Sequence, residues 1–235
     1  MQAIILAGGK GTRLKPYTTV IPKPLMPIGD KPILEIIVKQ LKKNNFKEII
    51  ISTGHLAELI HAYFGDGKKW GVRIKYVYET KPLSTAGAIK LIKGLHNNFL
   101  VINGDILSNI KFKDIYKYHI QKNSAATICV KKRTATIDYG IVKIKGKDNF
   151  TDYIEKPSYS FYVSTGIYIL NKACISYIRK NEVLGMPELI LRLKNNNEKI
   201  NCKIHDGSWL DIGRYEDYEK ANELYSNSKL KKFYE

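Results

Sequence analysis

Cysteine is scarce in this sequence, and long apolar runs are missing. Cys129, Cys174 and Cys202 are the three cysteines in 235 residues; they form no C-x-x-C pair and have no histidine at the spacing of a zinc site. We therefore expect reduced thiols. No segment reaches the ~18 to 20 apolar residues that cross a bilayer, and the N-terminal MQAIILAGG lacks the basic region and cleavage site of a secretory signal. These absences predict a cytoplasmic protein with no membrane partner.

Acidic residues are also few. The chain has 22 acidic and 39 basic side chains, which gives a formal net charge of +17 at pH 7. Such a charge attracts polyanions, either nucleic acids or phosphorylated small molecules. The lysines are spread along the whole chain, and no zinc-finger, helix-turn-helix or aromatic RNA-binding motif accompanies them. We therefore predict no nucleic-acid partner, although a non-catalytic, basic nucleic-acid-binding or regulatory protein remains an alternative from a different class.

The first part of the chain alternates between strand-like and helix-like patterns. Short runs rich in isoleucine and valine predict strands, and amphipathic stretches between them predict helices. The predicted strands are 3–7, 48–53, 72–78 and 99–103, and the predicted helices are 32–44, 55–64 and 84–94. This alternation is typical of βαβ units. We expect an α/β, Rossmann-like fold with a mixed, mainly parallel sheet flanked by helices.

The pattern changes after residue 110, where strand candidates follow one another across short turns. This indicates a smaller, β-rich extension packed on the same sheet. We expect one domain with halves 1–110 and 111–227, a polar tail at 228–235 and, since hexapeptide repeats are absent, no C-terminal β-helix. The predicted elements of the second half are helices 112–122, 172–180, 186–195 and 214–226, and strands 125–130, 139–145, 150–156, 161–170 and 200–206.

Three glycines directly follow the first strand. Gly8, Gly9 and Gly11 let backbone amides approach a ligand, and consecutive amides of this kind bind anions. The turn is not a Walker A loop, because no Gly-Lys-Ser/Thr follows at the required spacing. It is not a dinucleotide fingerprint either, because Leu14 stands where the third glycine would be. A tight strand-to-helix turn without a ligand is the alternative.

Two cations follow these glycines. Arg13 carries a guanidinium that can hold phosphate oxygens bidentately, and Lys23 lies between two prolines that stiffen the backbone around it. The rigid backbone fixes the direction of the lysine, which favours a phosphate site. A Pro-rich surface loop with an incidental lysine is the alternative.

The segment LAGGKGTRLKPYT followed by PKPLMPIGDKPILE closely resembles the opening of the sugar-phosphate nucleotidyltransferases, the NDP-sugar pyrophosphorylase family. The family pattern reads L-A-G-G-x-G-T-R-L-x-P-x-T and then P-K-P. Matches continue in family order at TAGAI, NGDIL, YGIVKI, EKP, STGIYIL and WLDIGRYEDY, so the resemblance covers residues 1–225. It implies transfer of a nucleoside monophosphate from an NTP to a sugar 1-phosphate, with release of pyrophosphate.

The resemblance also implies roles for individual residues. Arg13 and the glycine amides would bind the β,γ-phosphates, and Lys23 the α-phosphate, so Arg13 and Lys23 are the catalytic candidates. The complete predicted nucleotide site is Leu6, Ala7, Gly8, Gly9, Gly11, Thr12, Arg13, Lys23, Thr85, Ala86, Gly87, Gly104 and Asp105.

Two aspartates are the candidate ligands of a Mg²⁺ cofactor. Asp105 ends an apolar strand at the edge where open α/β sheets bind ligands, and Asp211 follows 106 residues later. Phosphoryl-type transfer favours a divalent metal on hard oxygen ligands. The family aspartates that match these two positions bind metal, which is what the resemblance implies here; without it, Asp105 could equally be a helix cap or a turn former.

The sugar 1-phosphate site is predicted from the second half. In similar enzymes the residues matching Glu155 and Lys156 hold the sugar hydroxyls and the phosphate, and those matching Gly140 and Gly166 contact the sugar through their backbone. Without the resemblance, Glu155 and Lys156 could lie in an exposed turn, and Gly140 and Gly166 could mark irregularities in strands.

The base-binding segment departs from the family at one position. Relatives usually carry glycine where Ser84 stands, whereas Thr85, Ala86 and Gly87 fit, with Gly87 expected to let the base lie close to the backbone. Ser84 and Thr85 are natural helix N-caps. The resemblance favours GTP with a mannose- or heptose-type 1-phosphate. Uridylyl, thymidylyl or cytidylyl transfer to another sugar or polyol phosphate stays open, as does a homo-oligomer.

Overall fold

The computed structural model describes residues 1–226 and is built on a seven-stranded sheet in the order β12-β8-β11-β6-β1-β4-β5. Three two-stranded sheets accompany it: β9 with β10, β7 with β13 and β2 with β3. The strands are β1 Gln2–Ala7, β2 Pro27–Ile28, β3 Lys31–Pro32, β4 Glu48–Thr53, β5 Arg73–Tyr78, β6 Asn98–Asn103, β7 Ile106–Ser108, β8 Ala126–Thr136, β9 Ile141–Lys145, β10 Asn149–Ile154, β11 Ser158–Asn171, β12 Ile200–Ile204 and β13 Trp209–Asp211.

Six α-helices connect these strands within the described residues. They are α1 Ile33–Lys43, α2 Ala57–Phe64, α3 Ser84–Gly87, α4 Phe112–Lys122, α5 Met186–Asn195 and α6 Tyr215–Ser226. No helix of residues 1–226 combines the length and apolar character that a membrane span needs.

The main sheet is mixed and mostly parallel, as the sequence predicts. Strands β6, β1, β4 and β5 run parallel to one another, β12 pairs in parallel with β8, and β11 runs antiparallel to both β6 and β8. The carboxyl ends of β1, β4, β5 and β6 therefore meet at one edge of the sheet, which is where open α/β sheets bind ligands.

Apolar side chains on both faces of the sheet form two cores. Ile5 and Ile51 belong to the core on one face, and their neighbours Ile4 and Ile50 belong to the core on the other. Successive strand residues point to opposite faces, so a strand buried on both sides reads as a continuous apolar run. This is why 3–7 and 48–53 could be recognised as strands.

Two predicted helices are wrong in type or length. The stretch predicted as helix 84–94 is the single α-turn α3 followed by a 3-10 turn at Ala88–Leu91, and it ends because Ile92 is extended and Gly94 has a φ of +74°. The stretch 172–180 is a 3-10 helix, Lys172–Tyr177, that ends where buried Ile178 becomes extended.

The predicted β-rich extension is present. We call residues 131–164 the extension: the outer parts of β8 and β11 pair with each other, and β9 and β10 form a hairpin between them. No β-helix occurs up to Ser226. The division into halves 1–110 and 111–227 stays a prediction, and the predicted tail, 228–235, lies outside the described residues.

Candidate active site

The loop after β1 folds back on itself around Gly11. We call residues 8–14 the glycine loop. Gly11 has a φ of +61°, a conformation that L-residues avoid, and a Cβ here would stand 2.9 Å from Thr18 Cγ2 and 3.1 Å from Lys23 Cβ. The Thr18 hydroxyl donates to the Gly11 carbonyl at 2.9 Å. Glycine at this position therefore brings the loop against the segment that carries Lys23.

Lys23 reaches the end of strand β6. It begins a short 3-10 turn between Pro22 and Pro24, and its Nζ donates to Oδ2 of Asp105. Both side chains are partly shielded, with 11% of Lys23 and 23% of Asp105 exposed. The Gly104 amide donates to the Leu6 carbonyl at 2.9 Å, which ties the ends of β1 and β6 together directly beside this ion pair.

Asp211 arrives from the other end of the chain. Strand β13 pairs antiparallel with β7, which places Asp211 opposite Ile106, and the Ile212 amide donates to the Asp105 carbonyl at 3.0 Å. A Cβ added to Gly213 would lie 3.4 Å from Arg13 Nη1 and 3.5 Å from Asp211 Oδ1. Four predicted residues, Arg13, Lys23, Asp105 and Asp211, therefore meet at one place.

The two carboxylates interact unfavourably. The pKa of Asp211 lies above its ordinary value, first because the carboxylate loses part of its hydration and next because Asp105 is close, whereas Lys23 and Arg13 act in the opposite direction. Asp105 Oδ1 is buried and has no hydrogen-bond partner in the described chain. An orphaned carboxylate oxygen beside a second acid is an environment that favours a cation.

No group of three or more His, Cys, Asp or Glu side chains that could hold a metal occurs in residues 1–226. A divalent ion on Asp105 and Asp211 would therefore need further oxygen ligands, such as phosphate oxygens and water.

Two cavities adjoin these residues and together form what we call the cleft. One, of about 240 Å³, is lined by Leu6, Ala7, Gly9, Gly11, Thr12, Arg13, Lys23, Pro24, Gly104, Asp105 and Gly213. The other, of about 250 Å³, is lined by Leu6, Gly8, Gly9, Glu79, Pro82, Ser84, Thr85, Ala88, Asn103 and Asp105. Leu6, Gly9 and Asp105 line both, so the two cavities are adjacent.

A family model described as nucleotidyl transferase matches residues 2–228. The chain belongs to the nucleotidyl transferase family. It is 37% identical to the D-glycero-alpha-D-manno-heptose 1-phosphate guanylyltransferase of Campylobacter jejuni, over 93% of this chain and 97% of that protein. It is 34% identical to the UTP–glucose-1-phosphate uridylyltransferase of Synechocystis over 94% of its length, but it spans only 62% of that relative.

A solved structure supports the same membership. The crystal structure of HddC from Yersinia pseudotuberculosis complexed with GMP-PN superposes with a TM-score of 0.72 at 27% identity, covering 95% of this chain and 99% of that one. The family resemblance and the Rossmann-like fold predicted from the sequence are both confirmed.

Family motifs did not point to Glu79, which lines the second cavity. Its Oε1 accepts from the Ser52 hydroxyl at 2.8 Å, its Oε2 accepts from the Leu83 amide at 3.3 Å, and a Cβ on Gly8 would collide with it. The available signal was its place directly after β5, at the carboxyl edge of the sheet. Asn103 and Gly213 also line the cleft and were also missed.

The TAGAI segment of the family motif differs from the sequence prediction. Neither Ser84 nor Thr85 caps α3, whose N-cap is Leu83 without a side-chain hydrogen bond; instead the Thr85 hydroxyl accepts from the Met186 amide at 2.7 Å and so caps α5. The N-cap prediction for α3 is wrong because Ser84 turns into the left-handed region, with a φ of +63°.

Ala86 and Gly87 are packed behind the cleft and line neither of its cavities. Their amides both donate to the Leu184 carbonyl at 2.9 Å, and a Cβ on Gly87 would collide with the Glu182 carbonyl. This close backbone contact explains why position 87 is a glycine. The role of Gly87 toward a base stays a prediction.

The predicted sugar-phosphate residues are not all brought to the cleft. Glu155 and Lys156 are exposed on the extension, where Glu155 Oε2 accepts from the Tyr153 hydroxyl at 3.0 Å. Gly140 packs against the same Tyr153. None of the three lines either cavity, so their roles stay predictions.

Gly166 lies nearer the cleft than the other predicted sugar residues. It has a φ of +74° in the irregular part of β11, and a Cβ here would stand 2.8 Å from the side-chain nitrogen of Asn103, which lines the second cavity. Gly166 therefore lets Asn103 pack close to β11.

Proposed function

We propose that this chain transfers a nucleoside monophosphate from an NTP to a sugar 1-phosphate and releases pyrophosphate, with Mg²⁺ as cofactor. The observation that carries the proposal is the convergence of two cations and two carboxylates beside the glycine loop: Arg13, Lys23 and Asp105 line one cavity, and Asp211 lies next to them. Membership of the nucleotidyl transferase family supports it.

The chemical problem in such a transfer is to bring two polyanions into contact. Like charges about 4 Å apart repel by about 1 kcal/mol in water and by several times more in a less polar cleft. Arg13 and the loop amides would neutralise the β,γ-phosphates, while Lys23 would hold the α-phosphate as charge develops on it. The sugar phosphate is already an anionic nucleophile, so the site needs no residue to activate it.

Asp105 and Asp211 fit a divalent cation. Asp105 Oδ1 has no hydrogen-bond partner among the described residues, and the pKa of Asp211 is raised first by loss of hydration and next by the nearby Asp105. When bound, Mg²⁺ would offset the charge on the phosphates and align them for in-line attack. Asp105 would keep Lys23 oriented, through their ion pair, toward the same reacting centre.

We assign the nucleotide as GTP on the chemistry of the second cavity. Glu79 offers acceptor oxygens only, and guanine presents two adjacent donors, N1–H and the N2 amino group, on its base-pairing edge. Uracil and thymine have one N–H between two carbonyl oxygens, and a carboxylate repels these oxygens. The Campylobacter relative is named as a guanylyltransferase and HddC was solved with GMP-PN, which supports the assignment. The Synechocystis relative keeps UTP as the second candidate.

The acceptor we propose is a mannose- or heptose-type 1-phosphate. Lys156 would hold its phosphate and Glu155 its hydroxyls, with Gly140 and Gly166 placing backbone against the ring. Because Lys156 lies on the exposed extension, this part of the site requires the extension to approach the cleft when the acceptor binds.

The direct test is to incubate the protein with Mg²⁺, each of the four NTPs and a panel of sugar 1-phosphates, and to record pyrophosphate release. We expect release with GTP and a mannose or heptose 1-phosphate, and none after EDTA treatment. Full activity without divalent metal would contradict the metal site. If no combination releases pyrophosphate and the protein instead shifts DNA or RNA in a salt-sensitive manner, the nucleic-acid-binding alternative holds.

A further inference from the structure

Ser84 has a backbone conformation that suits glycine. Its φ of +63° lies in the left-handed region, where the Cβ of an L-residue crowds the following carbonyl. Short polar residues such as asparagine often repay this cost with a local hydrogen bond. Ser84 does not do so, since its hydroxyl has no hydrogen-bond partner within the part of the chain that is described.

The strained residue lies in the wall of the cleft. Ser84 is exposed and lines the same cavity as Glu79, and the two are linked through the backbone, because Glu79 Oε2 accepts from the amide of Leu83, the residue before Ser84. Backbone strain that is kept at a ligand cavity and stabilises nothing nearby points to a role in binding.

We propose that Ser84 is a specificity-determining residue of this chain, whose hydroxyl donates to a carbonyl oxygen of the base while Glu79 accepts from the adjacent N–H groups. The inference rests on the proposed function, since it assumes that the second cavity holds the base of an NTP. It goes further than that function because it assigns a hydrogen bond with the base to the Ser84 hydroxyl, which a glycine at this position would lack.

The Ser84 hydroxyl and the Glu79 carboxylate together select guanine among the four common bases. Guanine carries the carbonyl O6 next to N1–H and the N2 amino group, so one hydroxyl donor beside one carboxylate matches three atoms in a row. Adenine and cytosine have an amino group next to a ring acceptor, and that acceptor would face the carboxylate. Uracil offers O4 and N3–H in the same order, but in that orientation its O2 would oppose the second carboxylate oxygen, so we expect uracil not to use the Ser84 hydroxyl.

The experiment compares Ser84→Ala and Ser84→Gly with wild type by equilibrium binding of GTP, UTP, ATP and CTP, with Mg²⁺ and without acceptor. Removing one neutral hydrogen bond should weaken GTP binding by about three- to tenfold and change UTP binding by less than about twofold. Ser84→Gly should lose as much GTP affinity as Ser84→Ala and should also gain about 2–4 °C in Tm, because it alone relieves the strain.

Asn45→Gly is the matched control. Asn45 has the same left-handed backbone, with a φ of +66°, but lies after α1, before the amino end of β4 and so away from the cleft. It should leave the nucleotide preference unchanged. An unchanged ratio of GTP to UTP affinity in Ser84→Ala, or a wild-type preference for a pyrimidine nucleotide, overturns the inference.

Binding and turnover separate this inference from the proposed function. Selective GTP binding that depends on Ser84 supports the inference even if no tested sugar phosphate is converted. Conversion of a sugar phosphate with equal use of GTP and UTP by wild type and Ser84→Ala supports the function and refutes the inference. A wild-type protein that binds no nucleotide overturns both.

Discussion

Acid should destabilise this protein through one buried histidine. The side chain of His119 is 1% exposed and lies between two neutral partners: Nδ1 is 2.9 Å from the Thr127 hydroxyl, and Nε2 is 3.0 Å from Oδ1 of Asn98. Since the Asn98 oxygen can only accept, Nε2 carries the proton and Nδ1 accepts from Thr127. Both ring nitrogens are satisfied in the neutral form, and within residues 1–226 no carboxylate contacts the ring to stabilise a positive charge.

The size of the effect follows from the shift in pKa. Burial lowers the pKa of His119 from 6.5 to about 4, so between these values the unfolded chain binds a proton that the folded chain excludes. Stability is therefore complete above about pH 6.5 and falls as the pH drops toward 4. Each unit of difference in pKa is worth about 1.36 kcal/mol. The free energy of unfolding should therefore fall by about 3 kcal/mol in full, and by about 2 kcal/mol between pH 7 and pH 5.

Urea denaturation at pH 7 and pH 5, followed by tryptophan fluorescence, measures this loss. His119→Gln keeps one donor and one acceptor but cannot titrate, so it should lose about 2 kcal/mol less than wild type between the two pH values, whatever other groups contribute. His61→Gln is the control, because His61 is exposed on α2, and it should follow wild type. Equal losses in wild type and His119→Gln would refute the reasoning.

Three predictions concern the cleft. Lys23→Ala should lower kcat by at least about 100-fold with unchanged circular dichroism, whereas the control Lys147→Ala, in the exposed turn between β9 and β10, should not lower kcat. Normal turnover of Lys23→Ala would remove Lys23 from the reacting centre. Asp211→Asn should lower kcat/KM at least about tenfold and raise the Mg²⁺ concentration needed for half-maximal activity, and an unaltered Mg²⁺ titration would exclude Asp211 as a ligand. Gly11→Ala and the control Gly94→Ala both place a Cβ at positive φ, with a cost of about 1 kcal/mol, but only the first crowds the loop, so only Gly11→Ala should slow the reaction; equal activities would contradict a shaped loop.

The sequence predicted the sheet and most of the cleft because both leave local patterns. Continuous apolar runs such as the three isoleucines 49–51 of β4 identify strands buried on two faces, and the family motifs identify Arg13, Lys23 and Asp105. Local patterns also gave wrong predictions, as in the helix predicted at 84–94. In the stretch 84–94 the apolar spacing suited a long helix, but Ser84 and Gly94 both have left-handed backbone, and apolar periodicity does not reveal such reversals.

The meeting of Asp105 with Asp211 could be inferred only through the family. It depends on the pairing of β7 with β13, two distant strands of three residues each, in which Asp211 stands opposite Ile106. Strands this short carry too few side chains for the alternation of apolar and polar residues to be read. Glu79 was missed for a related reason, since a single acid after a strand is indistinguishable from a solvated surface residue until its neighbours Gly8 and Ser52 are known.

The position of Asp211 depends on α6 as well as on three pairs of strand residues. Helix α6 begins four residues after Asp211 and packs against the segment that follows the glycine loop: Tyr215 stacks on Tyr17 with ring centroids 6.3 Å apart, and Oδ1 of Asn222 accepts from the Gly29 amide at 2.9 Å. These contacts join α6 to the segment between the glycine loop and α1. The side chains of Arg13 and Asp211 both approach Gly213 and are thereby held by the same packing, so loosening of α6 should separate them even while the central sheet stays folded.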